Sequence, residues 1–111
     1  MKISTSLAEN EVFLLEVEGE VDAYTAPRLE KALNDLLAQG HSRLVLDASQ
    51  VAFISSAGLR AIMFAHREAL QLGGQVRVFG LNAQVRRAFE MAGLDECLHL
   101  CDTHQEAMEG W

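Results

Sequence analysis

Two adjacent serines, Ser55 and Ser56, stand ahead of the small residues Ala57 and Gly58, with Leu59 and Arg60 following. The apolar spacing beyond them predicts a helix starting near Ser56, so both hydroxyls lie where a loop becomes a helix. A phosphate on Ser56 would meet free backbone N–H groups and the positive end of the helix dipole. The same position suits a plain helix cap, because a serine oxygen accepts a bond from the N–H groups of the first turn. The residue types leave these two readings open. Asp22 and Asp47 each read as residues just past a strand, with Thr25 three positions beyond Asp22. Asp22 suits a turn or cap, a role that can coexist with partner contact. Asp47 fits a strand-end turn as well as a functional carboxylate.

Cys97, His99, Cys101 and His104 are residue types that bind zinc. On a strand, positions 97, 99 and 101 would share one face. Their spacing does not give the two separated ligand pairs of a structural zinc site, so no metal is expected. His66 falls on the apolar stripe of its helix and reads as a packed histidine. No Gly-x-Ser-x-Gly elbow accompanies the serines, and there is no nucleotide-binding loop. The expectation is a protein with no enzymatic activity and no cofactor.

These residues must be positioned by alternating strands and helices. Residues 2–7 alternate weakly, with Ile3, Thr5 and Leu7 on one face. Residues 11–17 form a mostly continuous apolar run, which predicts a strand covered on both faces, and Gly19 and Asp22 mark its bend or exit. Thr25 is placed to cap a helix that carries Pro27 in its first turn and an apolar stripe of Leu29, Leu33, Leu36 and Leu37, stopping at Gly40. Residues 43–47 make a short buried strand. A loop is expected from Ala48, with Val51 and Phe53 packing inward from it.

The helix from Ser56 shows Leu59, Ile62, Met63, His66 and Leu70 at helical spacing and ends at Gly73-Gly74. Residues 75–79 give another strand. Asn82 caps a helix with Val85, Ala88 and Phe89, which ends at Gly93. Residues 97–100 read as a short strand. Thr103 and Glu106 have the spacing of a capping box for a last helix. The order predicts an α/β fold: a mixed, mostly parallel sheet of four to five strands with about four helices packed on it. Ligands of such sheets bind beyond the carboxyl ends of the strands, so Asp22, Asp47 and the Ser55-Ser56 loop are expected at one edge.

Length and composition agree. A chain of 111 residues fits one domain, 1–111, and half of it is hydrophobic, enough for a core without disulfides. The net charge of −7 disfavours binding to nucleic acid. Two cysteines do not make a disulfide framework. No leader pattern opens the chain, and no run approaches the ~18–20 apolar residues that a spanning helix needs. A soluble, cytoplasmic protein with no direct membrane contact is expected.

The stretch Leu46-Asp47-Ala48-Ser49-Gln50-Val51-Ala52-Phe53-Ile54-Ser55-Ser56-Ala57-Gly58-Leu59 resembles the signature segment of STAS domains. Gly19-Glu20-Val21-Asp22 with Thr25-Ala26, and Phe89-Glu90-Met91-Ala92-Gly93-Leu94, resemble two further segments of that family. The resemblance covers nearly the whole chain and is to the anti-sigma factor antagonist branch, stage II sporulation AA-like. It implies a STAS fold and a partner-switching role. The unphosphorylated antagonist binds an anti-sigma factor that is also a serine kinase, phosphorylation ends the binding, and a PP2C-type phosphatase resets it.

In that branch the phosphorylated serine aligns with Ser56. Ser55 replaces the preceding aspartate of the best-known members and Ala57 a following serine, so Ser55 stays the second candidate. The resemblance also implies partner contact by Asp22 and Thr25. Asp47, Ser55, Ala57, Gly58, Leu59 and Arg60 complete the expected contact region. The alternative is a STAS-type ligand-sensing or transporter-associated docking subunit that is never phosphorylated.

Overall fold

Leu29, Leu33, Leu36 and Leu37 recur at three- and four-residue spacing, and all four are buried on one side of helix α1, Ala26–Ala38. The computed structural model, which describes residues 1–111, places that stripe against a five-stranded sheet in the order β1-β2-β3-β4-β5. The strands are β1 Lys2–Leu7, β2 Phe13–Val21, β3 Arg43–Ile54, β4 Gln75–Phe79 and β5 His99–Cys101. β1 runs antiparallel to β2, and the other neighbours pair in parallel. The remaining helices are α2 Ser56–Gln71, α3 Ala83–Met91 and α4 His104–Met108. The mixed, mostly parallel α/β sheet expected from the sequence is therefore present.

Helices α1, α2 and α3 cover one face. Alternate strand residues such as Leu15, Val17, Leu44, Leu46, Val76 and Val78 enter the main core there, with Ile62 and Phe89 from the helices. The other face is covered only where α4 lies over β3, β4 and β5. This corrects the expectation for β2: Leu15 and Val17 are buried, but Glu16 and Glu18 between them are exposed, so the strand is covered on one face along this stretch.

The loop expected from Ala48 is strand. β3 runs on to Ile54 because β2 continues to Val21 and pairs with it: Gly19 lies opposite Val51 and Val21 opposite Ile54. The ladder satisfies backbone groups that the polar sequence Ala48-Ser49-Gln50 had suggested were solvated. Gly19 therefore bends β2 without ending it, at φ 104°, a value that favours glycine. Two register shifts interrupt the pairing. In the second, Ala52 is the extra residue, so Val51 and Ile54 both reach the core while Phe53 turns outward at 43% exposure. Phe53 is thus not the inward-packed residue expected. Leu70, expected on the α2 stripe, is also exposed, and the small residues Ala65 and Ala69 form the buried face instead.

Cys97 lies ahead of β5, after the 3₁₀ turn Leu94–Glu96, and is exposed, whereas Cys101 is buried. The two thiols do not share a strand face. His66 is buried on α2, and its Nδ1 accepts the Val76 N–H at 3.1 Å. Burial pushes its pKa below the usual 6.5, opposed by a bond to the Cys97 backbone. The unfolded chain therefore takes up this proton more readily than the folded one. The contribution of the neutral ring is full above pH 6.5 and is lost as pH falls below it toward the folded-state value. Thermal melts should show a lower midpoint at about pH 5.5 than at about pH 7.5, with the difference reduced in His66→Gln.

Candidate functional site

The ends of β2 and β3 bring two loops together. Val21 pairs with Ile54, and the Ser55 N–H donates to the Val21 carbonyl at 2.7 Å. The turn after β2 thereby abuts the start of α2. In that turn one carboxylate oxygen of Asp22 accepts the N–H groups of Tyr24 and Thr25, each at 2.9 Å. The Thr25 hydroxyl accepts the Asp22 N–H at 2.8 Å and faces the Glu20 carbonyl at 2.9 Å and the Asp22 carboxylate at 3.1 Å.

Thr25 does not cap α1 through its side chain, as expected from sequence. Its backbone is already helical, at φ −95° and ψ −24°, which turns the hydroxyl back into the turn. The backbone N–H of Thr25 is the largest influence holding the Asp22 carboxyl below its usual 3.8. Partial burial opposes it, and the Thr25 hydroxyl and the Tyr24 N–H assist. Asp22 is a fixed negative charge at neutral pH. Its stabilising bonds are in place above pH 3.8 and fail as pH falls through the lowered value.

At the start of α2 the two serines take different parts. Ser55 is half-buried with an extended backbone, and its Oγ accepts the Gly58 N–H at 3.3 Å, capping the helix. Ser56 is the first helical residue and is exposed. Gly58 is buried, and a Cβ at that position would lie 2.7 Å from Val21 Cγ1 and 2.8 Å from Ile54 Cγ1. The absence of a side chain there lets α2 seat on the ends of β2 and β3. Leu59 is buried as well, and Ala57 is half-buried.

Ser56 and Arg60 are exposed on the first turns of α2, and Tyr24 in the turn after β2 and Met91 at the end of α3 are exposed as well. Tyr24 is 91% exposed and Met91 82% exposed. Beside Ser56 a shallow pocket of about 210 Å³ is lined by Ser56, Leu59, Arg60, Met63, Ala92 and Leu94.

Asp47 is not with this group. It lies inside β3, opposite Glu16 on one side and Phe79 on the other, and its Oδ1 accepts the Ser49 N–H at 2.9 Å and the Ser49 hydroxyl at 2.6 Å. Because β3 runs on for seven residues beyond it, Asp47 is level with the end of β4 and well short of Ser56.

Tyr24 and Met91 were missed as surface candidates. Tyr24 sits between a strand exit and Pro27, where an aromatic ring has no element face to pack on. Met91 lies off the Val85–Phe89 stripe of α3, so its exposure follows from helical periodicity.

Comparison with known proteins adds an independent line. The family model described as the STAS domain matches residues 6–107. The chain is similar to the anti-sigma-F factor antagonist RsfB of Mycobacterium tuberculosis, with 36% identity covering 97% of this chain and 88% of that protein. It is similar to the anti-sigma-B factor antagonist of Listeria monocytogenes, with 30% identity covering 96% and 95%. Among solved structures, the Bacillus cell fate determinant SpoIIAA in its phosphorylated form has the same fold, with a TM-score of 0.76 and 17% identity over 97% of each chain.

Proposed function

Because this chain belongs to the STAS domain family, we propose that it acts as an anti-sigma factor antagonist that phosphorylation of Ser56 switches off. The observation that carries this reading is the division of labour between the serines. Ser55 spends its oxygen on the Gly58 N–H, while Ser56 presents an exposed hydroxyl on the first turn of α2. Relatives at 36% and 30% identity are named as antagonists of anti-sigma factors. The fold also occurs in a protein solved in a phosphorylated form.

In the proposed cycle the unphosphorylated protein binds an anti-sigma factor in the cytoplasm through Ser56, Arg60, Tyr24 and Met91. The anti-sigma factor, acting as a serine kinase, moves the γ-phosphoryl group of ATP to Ser56 Oγ; the hydroxyl proton is released and ADP leaves. A PP2C-type phosphatase hydrolyses the phosphoserine and restores binding. Asp22, Thr25 and Ser55 hold the two loops in register, and Gly58 and Leu59 seat α2. Residues 1–111 work as one unit in which this protein is substrate and ligand, and the catalysis belongs to its partners.

Incubation with the cognate anti-sigma kinase and ATP should add one phosphate by intact mass. Ser56→Ala should abolish the addition, and Ser55→Ala should retain it. Phosphate mapped to Ser55, with Ser56→Ala unaffected, overturns the assignment. A protein that binds its partner yet takes up no phosphate from it in the presence of ATP would favour a docking subunit that is never phosphorylated.

A further inference from the structure

The sheet face opposite α1, α2 and α3 carries a second, separate apolar cluster: Val12, Val45, Phe79, Cys101 and Ala107. Four of these residues belong to the sheet or its approach, and the fifth is on α4. Residues 103–111 lie across this cluster and are held mainly by Arg77. This arginine projects from β4, is only 5% exposed and takes part in none of the chain's ion pairs. Its Nη1 donates to the Ala107 carbonyl at 3.0 Å and to the Glu109 carbonyl. Both acceptors are at the C-terminal end of α4, the negative end of its dipole. The guanidinium lies 4.0 Å from the centre of the Trp111 ring, a cation–π arrangement. Trp111 Nε1 donates to the same Ala107 carbonyl at 2.8 Å. Glu109 and Trp111 lie beyond the residues matched by the family model.

We propose that residues 103–111 form a latch that opens as a unit while the five strands and α1, α2 and α3 stay folded, gating the Cys101 thiol and the apolar sheet face beneath. Three features set its closing free energy well below that of the whole fold. First, α4 has five residues, far short of the ~12–15 at which an isolated helix begins to hold itself together. Second, the cluster it closes has five buried residues, against 23 in the main core. Third, the closed state buries a guanidinium without a carboxylate, and its Nε has no hydrogen-bond partner, a standing cost. Opening breaks no sheet ladder, because the latch hangs from β5 at the edge of the sheet. The hinge is Asp102, between the end of β5 and the Thr103 cap. Segments so lightly held open locally, ahead of global unfolding.

Cys101 reports the motion, because it is buried under the latch while Cys97 is exposed. Burial pushes the Cys101 thiol pKa up, opposed by the charge of Arg77, so the closed state reacts slowly. In a Cys97→Ser background, N-ethylmaleimide labelling of Cys101 should be slow, with little urea dependence below the unfolding transition. Adding Trp111→Ala should speed it at least tenfold while amide exchange in α2 and β3 is unchanged. Labelling that stays within twofold in Trp111→Ala, or that follows the urea dependence of global unfolding, overturns the proposal. If Trp111→Ala does not fold, native-state hydrogen exchange on the unaltered chain decides. The Ala107 and Glu109 amides should open with weaker urea dependence than those of β4, and equal dependence overturns the latch.

Discussion

Gly58→Val is expected to destabilise the fold by about 2–3 kcal/mol, the cost of overpacking a well-filled contact. At ~4–8 °C per kcal/mol for a domain of about 100 residues, the melting midpoint should fall by roughly 10–20 °C. A Cβ at this position meets Val21 Cγ1 at 2.7 Å and Ile54 Cγ1 at 2.8 Å. Both neighbours are β-branched, with few alternative rotamers, and both are buried where β2 and β3 end. They cannot swing aside, so the start of α2 must move outward. That motion lengthens the Ser55 Oγ bond to the Gly58 N–H and displaces Ser56 with the helix. Gly58→Ala meets the same overlap but regains about 1 kcal/mol of helix propensity, so it should lose less. Ala52→Val, on the exposed bulge residue of β3, is the control and should melt near the parent midpoint. A Gly58→Val protein melting with the parent would show that α2 is not seated through this contact.

The same contact shows why the sequence was informative about the elements but less so about the site. Helix α1 was legible because four leucines at helical spacing all pack on one face. The Asn82 cap of α3 was legible because its side chain bonds its own first turn, accepting the Val85 N–H at 2.8 Å. Such interactions span three or four residues. The extension of β3 to Ile54 was illegible because its cause is non-local: the strand exists where β2 offers it a partner more than 30 positions earlier in the chain. Asp47 was misplaced for that reason, since a carboxylate before Ala-Ser-Gln reads as a strand end until the neighbouring ladder is known. The need for glycine at position 58 was illegible because it is spatial: two side chains from distant strands leave no room for a Cβ. Ser55 and Ser56 are neighbours of one residue type, and only the backbone at each position separates the cap from the exposed hydroxyl. Arg77 gave no sequence signal, because the carbonyls and the ring that hold it come from a segment 30 residues later.

Phosphorylation of Ser56, and the Ser56→Asp mimic, are expected to weaken binding to the anti-sigma factor at least tenfold, about 1.4 kcal/mol, with the fold unchanged. A phosphoserine adds about −1.5 to −2 charge at pH 7. On the first turn of α2 it gains roughly 0.3–1 kcal/mol from the helix dipole when exposed. Asp22 opposes it: the carboxylate is held ionised by the turn and belongs to the loop joined to Ser55 through Val21. Arg60, one turn along α2, is exposed, has no carboxylate partner and shares the pocket beside Ser56, so it offsets part of that repulsion. Asp47 contributes little, because it lies well back along β3 and charges beyond ~8–10 Å are largely screened by salt. In the free protein these small terms nearly cancel. In the complex they do not, because docking strips water from the phosphate and sets added bulk and charge against a fitted surface that includes Tyr24 and Met91. Isothermal titration against the partner should show the affinity loss. Backbone NMR shifts of the phosphoprotein should move only around Asp22, Thr25 and the first turn of α2. Equal affinity for the phosphorylated form, or shift changes reaching β4 and β5, would rule out a switch acting by local charge and bulk at the interface.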